Sequence, residues 1–403
     1  MIAALALNRP RFAAPSWLRL AGPAFAVSIG YVDPGNWASD LAAGRYGYSL
    51  LWAVVLASVI ALVLQSAVAR VTIALGTDIA SAIAARWPRY RVVLWSAYQV
   101  SAMATDVAEF AGITLGAHLL LGFDALASVC TGLAVVTMLF ALDRRSANAL
   151  GAAMIAIVTG ITLVFAGLVG TLRPDWVAAL HGAAVPALPN GGALLIVVAI
   201  FGATVMPHNL FLHSSLVHQR CKLLGTGERA RAMRFFGGET IGALGVATLV
   251  NAAIVIVGAS LGHNDGSIEA TFAALGPAAG AVPAVLFGAA LIASSIAATT
   301  TATLSGDYIF AAFSPVRFPA VARRTLTVLP AAALLVAHAD VTALLLWSQT
   351  ALCVLLPVAI VPLLVLARRP LSARAHAVCV VAGGICIALD ASLLAQSALG
   401  AGG

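Results

Sequence analysis

The sequence predicts an all-α integral membrane protein with eleven membrane-spanning helices. Of its 403 residues, 62% are hydrophobic and only 9% are charged, whereas a soluble domain has about 25% charged residues. Apolar runs of the roughly 20 residues needed to cross a bilayer recur along the whole chain. Proline interrupts two of these runs, at Pro34 and Pro207, each time two residues before an asparagine. We therefore expect a single transmembrane domain over residues 1–403.

The order of the apolar segments predicts an internal repeat. The segments lie at 18–43, 48–72, 92–121, 125–142, 148–172, 192–219, 238–261, 282–313, 322–339, 341–367 and 373–397. The two proline-interrupted segments open two groups of five, 18–172 and 192–367, and 373–397 remains as an extra eleventh helix. Because five is an odd number, the two groups would cross the membrane in opposite directions. This is the inverted-repeat plan of many secondary transporters, which bind substrate between broken helices near the midplane.

The positions of lysine and arginine predict the orientation. If the predicted helices cross the membrane in turn, the loops between them lie on alternate sides. Of the 22 lysine and arginine residues, only Arg45 and Arg173 then fall on one side, and all the others fall on the opposite side. The basic segments hold Arg9, Arg11, Arg19, Arg70, Arg86, Arg89, Arg91, Arg144, Arg145, Arg220, Lys222, Arg229, Arg231, Arg234, Arg317, Arg323, Arg324, Arg368, Arg369 and Arg374. By the positive-inside rule the N-terminus is cytoplasmic and the C-terminus outside. We expect a multi-pass protein of a bacterial inner membrane, whose net charge of +7 faces lipid and not nucleic acid.

The first interrupted segment places Asp33, Pro34, Gly35 and Asn36 inside an apolar run. Proline removes a backbone donor and glycine weakens a helix, so the helix should break at Pro34 and Gly35. Within a membrane, a break is tolerated where the freed backbone groups face protein or a polar cavity, and an ionisable residue beside it indicates a functional site. The alternative is a kinked helix in which Asp33 only caps the second half.

The second interrupted segment adds a different kind of donor. Unwinding at Pro207 would free the carbonyl of Ala203, and Met206 places a thioether beside the break. Oxygen ligands such as Asp33 and Asn36 suit Mg²⁺ or Ca²⁺, whereas a thioether favours softer ions such as Mn²⁺, Fe²⁺ or Co²⁺. Taken alone, a methionine in an apolar helix is usually a packing residue; its place beside a proline break and opposite an aspartate favours a metal ligand.

These two segments resemble the signature helices of the Nramp family, which are proton-coupled divalent metal transporters. The resemblance lies in YVDPGNWASDL at 31–41 and GATVMPHNLFLHSSLV at 202–217, and it extends to ATDVAE at 104–109. It implies the LeuT-like 5+5 inverted repeat of that family, with discontinuous first and sixth helices. It also implies that the protein is not an enzyme and has no cofactor, since the metal is its cargo.

The resemblance implies a ligand set for the metal. The ligands are Asp33, Asn36, Met206 and the carbonyl of Ala203, with Gln349 approaching in some states. It thereby joins residues from both breaks to a glutamine far along the chain. We expect import of Mn²⁺, Fe²⁺ or a similar ion into the cytoplasm by alternating access, by a protein that works as a monomer.

Proton coupling requires titratable groups beyond the metal. Asp106 and Glu109 are three residues apart on one predicted helix, hence on one face. With Asp33 and His208, which follows the second break, they form the predicted proton pathway, and Arg323 and Arg324 complete it by the resemblance. The alternative is that the two acids pair with arginines for structure alone.

The chain departs from the family at Gln99, seven residues before Asp106, where the family commonly has glutamate. A neutral amide does not carry a proton as an acid does, so this departure affects the outer part of an acidic relay.

Two other functions fit parts of the sequence. A transporter of the same fold could carry Mg²⁺, an amine or an amino acid, although Met206 disfavours Mg²⁺ and Asp33 disfavours a substrate carboxylate. An intramembrane hydrolase could use Ser260, which lies in a GxSxG sequence at 258–262. That motif requires a turn between a strand and a helix, and a membrane helix does not supply one.

Overall fold

A computed structural model of the chain describes residues 22–142, 147–222, 228–262, 265–314, 320–337 and 340–400. These residues form α-helices, short 3₁₀ segments and connecting turns, and no strand occurs among them. The α-helices are α1 Pro23–Ser28, α2 Pro34–Gly44, α3 Leu51–Leu75, α4 Ile79–Arg86, α5 Arg91–Leu121, α6 Ala125–Leu142, α7 Ala147–Leu172, α8 Trp176–Ala184, α9 Gly191–Val205, α10 Pro207–Cys221, α11 Arg229–Ser260, α12 Ile268–Ala279, α13 Ala281–Phe313, α14 Ala320–Val336, α15 Val341–Ala367 and α16 Ala373–Gly400. The prediction of an all-α membrane protein is confirmed at this level.

Seven stretches within the described ranges are long and apolar enough to cross a membrane, judged by length and composition. They are Leu51–Leu75, Met154–Leu172, Gly191–Cys221, Arg231–Ser260, Ala281–Phe313, Val341–Ala367 and Ala373–Ala398. Three further apolar helices are shorter: Pro23–Val32, Ala125–Met138 and Thr327–Val336. Arg91–Leu121 is long, but it carries Asp106 and Glu109 in its middle. The predicted number of eleven spans therefore exceeds what helix length and composition establish.

The chain is interrupted near both predicted positions, but Pro34 and Gly35 begin one helix and Pro207 begins another, so each break lies just before its proline. After α1 the chain passes through a 3₁₀ segment, Ile29–Val32, and an extended residue, Asp33, before α2 begins at Pro34. Residues 18–21 of the predicted first span lie outside the described residues. The second break is a single residue, Met206, between α9 and α10. The second interruption is thus sharper than the first.

The two broken helices lie among long, buried helices. α2 packs against α11 and α9, α9 packs against α15, and α5 packs against α13 and α15. The second half of the first broken helix is anchored by Trp37, which is fully buried and meets Phe165 and Phe287 edge-on at 4.9 Å between ring centroids. This packing holds the two breaks side by side within the protein.

Candidate metal centre

Asp33 caps the helix that follows the first break. Its backbone is extended, with φ −78° and ψ 170°, and its Oδ1 accepts a hydrogen bond of 2.8 Å from the Asn36 backbone N–H. Proline at the first helical position and aspartate at the N-cap are the residues that favour a helix start. The sequence therefore sets Asp33 at the break, with one carboxylate oxygen engaged by the helix N-terminus.

The carbonyls freed by the first break are bound by side chains from other helices. The Tyr31 carbonyl accepts a hydrogen bond of 2.9 Å from Nδ2 of Asn251 on α11. The Val32 carbonyl accepts one from the Ser294 hydroxyl on α13. Unpaired backbone groups are costly within a membrane, so Asn251 and Ser294 stabilise the interruption.

The second break frees a carbonyl for a simple covalent reason. The Ala203 carbonyl would normally accept from the N–H four residues later, and that residue is Pro207, which has none. Met206, between the two halves, has φ 39° and ψ 109°. Such a conformation in a residue other than glycine costs about 1–3 kcal/mol and often marks a functional site.

The Asn36 amide joins the two breaks. One terminal atom of the amide lies 2.9 Å from Asp33 Oδ1 and 3.1 Å from the Ala203 carbonyl oxygen, and the other lies 3.1 Å from Asn251 Nδ2. If the first atom is the nitrogen, each of the three neighbours has a complementary hydrogen-bond partner. If it is the oxygen, three oxygens converge, as they do around a bound cation. Asp33 and Asn36 are each only 1% exposed, so three of the predicted ligands meet at a buried point.

Met206 lies beside this point and is fully buried. Its sulfur accepts a hydrogen bond of 3.1 Å from Asn209 Nδ2. Asn209 in turn packs on the first break, since a Cβ added at Gly30 would lie 2.5 Å from Asn209 Nδ2. Asn209 therefore contacts both the thioether of Met206 and the first broken helix.

Gln349, on α15, is wedged against both breaks. A Cβ at Gly35 would lie 2.1 Å from Gln349 Nε2, and a Cβ at Gly202 would lie 1.9 Å from the Gln349 carbonyl oxygen. Gln349 Nε2 donates to Ser348 Oγ at 3.0 Å, and its buried Oε1 has no hydrogen-bond partner among the described residues. Glycine at positions 35 and 202 is what admits this residue to the site.

The side chains at this centre carry little charge. Within the described ranges, no three His, Cys, Asp or Glu side chains come together as a metal-binding group. Asp33 is the carboxylate at the centre, and Asn36, Met206 and Gln349 are neutral. One charge among neutral donors differs from the charge-rich cages that hold structural metals.

Asp106 faces a small cavity. It accepts a hydrogen bond from the Thr327 hydroxyl of α14. The cavity measures about 20 Å³, and its lining includes Gln99, Asp106 and Thr327. This volume suffices for about one water molecule. Gln99 and Asp106 thus share one polar space, as their spacing on the helix predicts.

Helix α5 connects the acids to the breaks. His208 Nδ1 lies 3.2 Å from the Thr105 hydroxyl, next to Asp106 in the chain. Glu109 is 1% exposed, and one turn further on α5 packs so closely that a Cβ at Gly112 would lie 2.3 Å from Pro34 Cγ. Arg323 and Arg324 belong to α14, but their side chains lie outside the described residues.

A second polar network adjoins the first break at Tyr31. Gln65 Nε2 donates to the Tyr31 hydroxyl at 2.8 Å, and His213 Nδ1 lies 2.6 Å from Gln65 Oε1. These side chains are buried. His213 therefore ties α10 to α3 and to the first broken helix.

Two residues of the site escaped the sequence analysis. Asn251 carried a usable signal, since an amide in the middle of an apolar helix indicates a polar partner. Ser294 carried none, because it lies among many small residues of α13. Ser260, the candidate nucleophile, ends α11 and lies 3.4 Å from the Tyr48 hydroxyl. This is a helix end, so the strand-turn-helix context required by GxSxG is absent at Ser260.

Comparison with known proteins agrees with this geometry. The family model described as natural resistance-associated macrophage protein-like matches residues 24–395. A protein named divalent metal cation transporter MntH, from Deinococcus radiodurans, is 38% identical over 356 residues, covering 86% of this chain and 81% of its own. Crystal structures of mutants of the Eremococcus coleocola manganese transporter superpose with a TM-score of 0.83 at 27% identity, covering 95% of this chain and 88% of theirs.

A more distant structure shares the fold. The nucleobase-cation-symport-1 family transporter Mhp1 superposes with a TM-score of 0.56 at 15% identity, covering 85% of this chain and 77% of its own. At this identity the likeness concerns the fold alone. The family match, by contrast, spans nearly the whole chain and includes both breaks. The chain therefore belongs to the natural resistance-associated macrophage protein-like (Nramp) family.

Proposed function

We propose that this protein is a divalent metal transporter, not an enzyme, which imports Mn²⁺, Fe²⁺ or a similar ion together with protons by alternating access. The observation that carries the proposal is the meeting of Asp33, Asn36 and the Ala203 carbonyl between two helix breaks. The relatives named as divalent metal cation and manganese transporters support the same substrate class.

The proposed ligands are Asp33, Asn36, the Ala203 carbonyl, Met206 and Gln349. Four of them offer oxygen and one offers sulfur, a set that suits Mn²⁺ and Fe²⁺ better than Mg²⁺. Support for Gln349 comes from its unpaired, buried Oε1 and its contact with Gly35. An uncompensated oxygen in a buried site is costly, and a bound cation would supply its partner.

Loading requires the Asn36 amide to turn. A terminal atom of the amide lies 2.9 Å from Asp33 Oδ1 and 3.1 Å from the Ala203 carbonyl oxygen. We propose that the nitrogen takes this position when no metal is bound. Since a metal binds the amide oxygen and not its nitrogen, the side chain would then turn over when the ion enters. Asn251, whose Nδ2 lies 3.1 Å from the other terminal atom, would lose its acceptor.

The proposed proton pathway runs from Asp33 through α5. It includes Asp106, Glu109 and His208, with Arg323 and Arg324 as charged neighbours. The contact between His208 and Thr105 and the packing of Gly112 on Pro34 support a connection between the site and the acids. In this proposal both the metal and the proton bind at Asp33, in the first break. The proton then moves along α5, and the metal takes another route.

We also propose the membrane arrangement. It has eleven spans, with inverted repeats over 18–172 and 192–367 and an additional helix over 373–397. The N-terminus is cytoplasmic, the C-terminus is outside, and the protein works as a monomer in the inner membrane of a bacterium. The distribution of arginine in the sequence supports the orientation.

Transport by the purified protein in liposomes tests the proposal. We expect uptake of Mn²⁺, Fe²⁺ and Cd²⁺ but not Mg²⁺, faster with acid outside, and accompanied by acidification of the lumen. Asp33→Asn should insert normally and reduce uptake to the level of empty liposomes, because it removes the charge at the centre.

Two results would contradict parts of this proposal. Near-normal Mn²⁺ uptake by Asp33→Asn would remove the proposed site. Uptake by the unmodified protein without acidification of the lumen would show uncoupled metal movement and would remove the proton pathway.

A further inference from the structure

A groove lies along α3, outside the proposed metal centre. Its floor is one face of α3, formed by Leu62, Val63, Ser66, Ala67 and Arg70. Its walls are Ile241 of α11 and a segment at the start of α16. The α16 side consists of Leu371, Ala375, Val378 and Cys379. The groove has a volume of 280 Å³, just below the range of about 300–1,000 Å³ for small-molecule sites.

The groove combines an apolar lining with one charge. Arg70 is exposed and makes no hydrogen bond or ion pair within the part of the chain that the structure describes. Basic side chains beside apolar grooves between membrane helices bind anionic lipid head groups. Arg70 thus provides a charge and the remaining lining provides a surface for an acyl chain.

Three further basic residues are close in sequence to the lining residues at the start of α16. Arg368 and Arg369 precede Leu371 by two or three residues, and Arg374 directly precedes Ala375; all three are exposed. Two acids lie on neighbouring helices: Asp78, which caps α4, accepts from the Ser81 N–H at 2.9 Å, and Glu239 of α11 accepts from the Gly22 N–H at 2.6 Å. Together with Arg70, the three arginines outnumber these two acids.

A second groove on the same protein offers a comparison. It has a volume of 200 Å³ and lies between α1, α7 and α11, with Phe25, Ile155, Leu163 and Val246 in its lining. No charged residue lines it. It can hold an acyl chain, but it has no means to distinguish one head group from another. The difference between the two grooves is the charge.

We propose that the groove between α3, α11 and α16 is a binding site for an anionic phospholipid. Arg70 pairs with the head-group phosphate, and the face of α3 holds the first part of an acyl chain. A soluble anion would find one arginine and an apolar wall, which is a poor site by itself. A phospholipid matches both parts of the surface.

The full-length protein, purified in detergent, tests this by native mass spectrometry. Equal amounts of phosphatidylglycerol and phosphatidylcholine are added, and the retained lipids are counted. We expect preferential retention of phosphatidylglycerol. Arg70→Gln should reduce that retention about five-fold, the ratio that corresponds to about 1 kcal/mol per arginine near an anionic surface, and leave phosphatidylcholine unchanged. Arg70→Lys should preserve most of the preference.

Matched variants separate this site from general electrostatic attraction. Arg89→Gln removes an exposed charge outside the groove and should leave the preference intact. Val378→Trp fills the groove from a side chain that is 53% exposed, so it tests occupancy without entering the core. Leu163→Trp does the same in the uncharged groove, where the exposed fraction is 67%, and should not change the preference.

Three outcomes would overturn the proposal. These are equal retention of the two lipids by the unmodified protein, equal losses in Arg70→Gln and Arg89→Gln, and displacement of phosphatidylglycerol by inorganic phosphate at equal concentration. If Arg70→Gln does not fold, the effect of Val378→Trp decides, because a tryptophan in the groove must exclude the lipid.

Discussion

Asp33 and Met206 contribute opposite properties to the proposed site. Asp33 brings a charged, hard oxygen, and its Oδ1 is already bound by the backbone N–H of Asn36. Met206 brings a polarisable sulfur, held at 3.1 Å from Asn209 Nδ2 in a strained backbone conformation. Selectivity at this site should depend on the sulfur, because oxygen ligands alone do not exclude the abundant hard ions.

Replacement of the thioether tests that argument. Met206→Ala should retain most Mn²⁺ transport but weaken Cd²⁺ binding about ten-fold, a change of about 1.4 kcal/mol. It should also admit Ca²⁺ or Mg²⁺, because the remaining donors are hard oxygens. Competition of each ion against Mn²⁺ uptake in liposomes measures both effects.

The control is another buried methionine. Met154 is 5% exposed and packs with Ile29 and Ala297, so Met154→Ala removes the same volume from the core and should leave the ion preference unchanged. If Met206→Ala has the same Cd²⁺ affinity and the same exclusion of Ca²⁺ as the unmodified protein, Met206 is a packing residue.

Part of the site could be predicted residue by residue and part could not. The free carbonyl of Ala203 follows directly from Pro207, because the missing N–H is a covalent property. The partners of the first break could not be predicted in this way. Asn251 and Ser294 are more than 200 positions from the carbonyls they bind, and only the packing of three helices brings them there.

At the level of helices, α5 and α2 pack so closely at Gly112 that no side chain larger than that of glycine fits between them. A Cβ at Gly112 would lie 2.3 Å from Pro34 Cγ and 2.4 Å from Ser295 Oγ. The proline ring is rigid, so a larger residue must separate the helices. This contact places the helix of Asp106 and Glu109 against the first break, so we expect both stability and the proposed coupling to depend on it.

Substitution of this glycine should therefore be costly. Gly112→Ala should lower the free energy of unfolding by about 1–3 kcal/mol, the usual effect of overpacking, and should slow Mn²⁺ uptake. Thermal unfolding in detergent and uptake in liposomes measure the two effects.

Gly167→Ala is the matched substitution, since a Cβ at this helical position meets no other atom within 4 Å. It should be neutral or stabilising by up to about 1 kcal/mol. Equal behaviour of the two variants would show that α5 and α2 can separate without consequence.

The limits of sequence prediction at this level are visible in α11. The apolar run predicts a helix from 238, whereas α11 begins at Arg229. Hydropathy detects the part of a helix that lies in lipid, but the hydrogen-bond pattern of the helix continues through polar residues such as Arg231 and Arg234. The short helices α4, α8 and α12 were missed for a related reason, because each is too short to appear as a span.

At the scale of the whole molecule, the question is how protons move relative to the metal. Uptake should accelerate as the external pH falls, if protons enter with the ion as we propose. Asp106→Asn should weaken this response more than it weakens metal binding, since Asp106, which accepts a hydrogen bond from Thr327 on α14, is proposed as a proton carrier and not as a metal ligand. Metal uptake and lumen pH, recorded together at several external pH values, give the ratio of the two fluxes.

Gln99 makes this prediction specific to the present chain. Gln99 and Asp106 line one cavity of about 20 Å³, so Gln99→Glu places a second acid in the lining of the same cavity. It should alter the pH dependence or the number of protons per metal. If Asp106→Asn leaves acidification intact, protons travel by another path, for which His208 is the candidate.

The Asn36 amide has a consequence for the empty carrier. A secondary transporter must return unloaded, and an unoccupied set of ligand oxygens would attract water or sodium on the way. A terminal atom of the amide lies 2.9 Å from Asp33 Oδ1 and 3.1 Å from the Ala203 carbonyl oxygen. With its nitrogen in that position, the amide would donate to both oxygens and close the site when no metal is bound. The two bonds would limit leakage during the return step of the proposed cycle and would compete with the incoming ion, so the same side chain would set both the leakage and the affinity for metal.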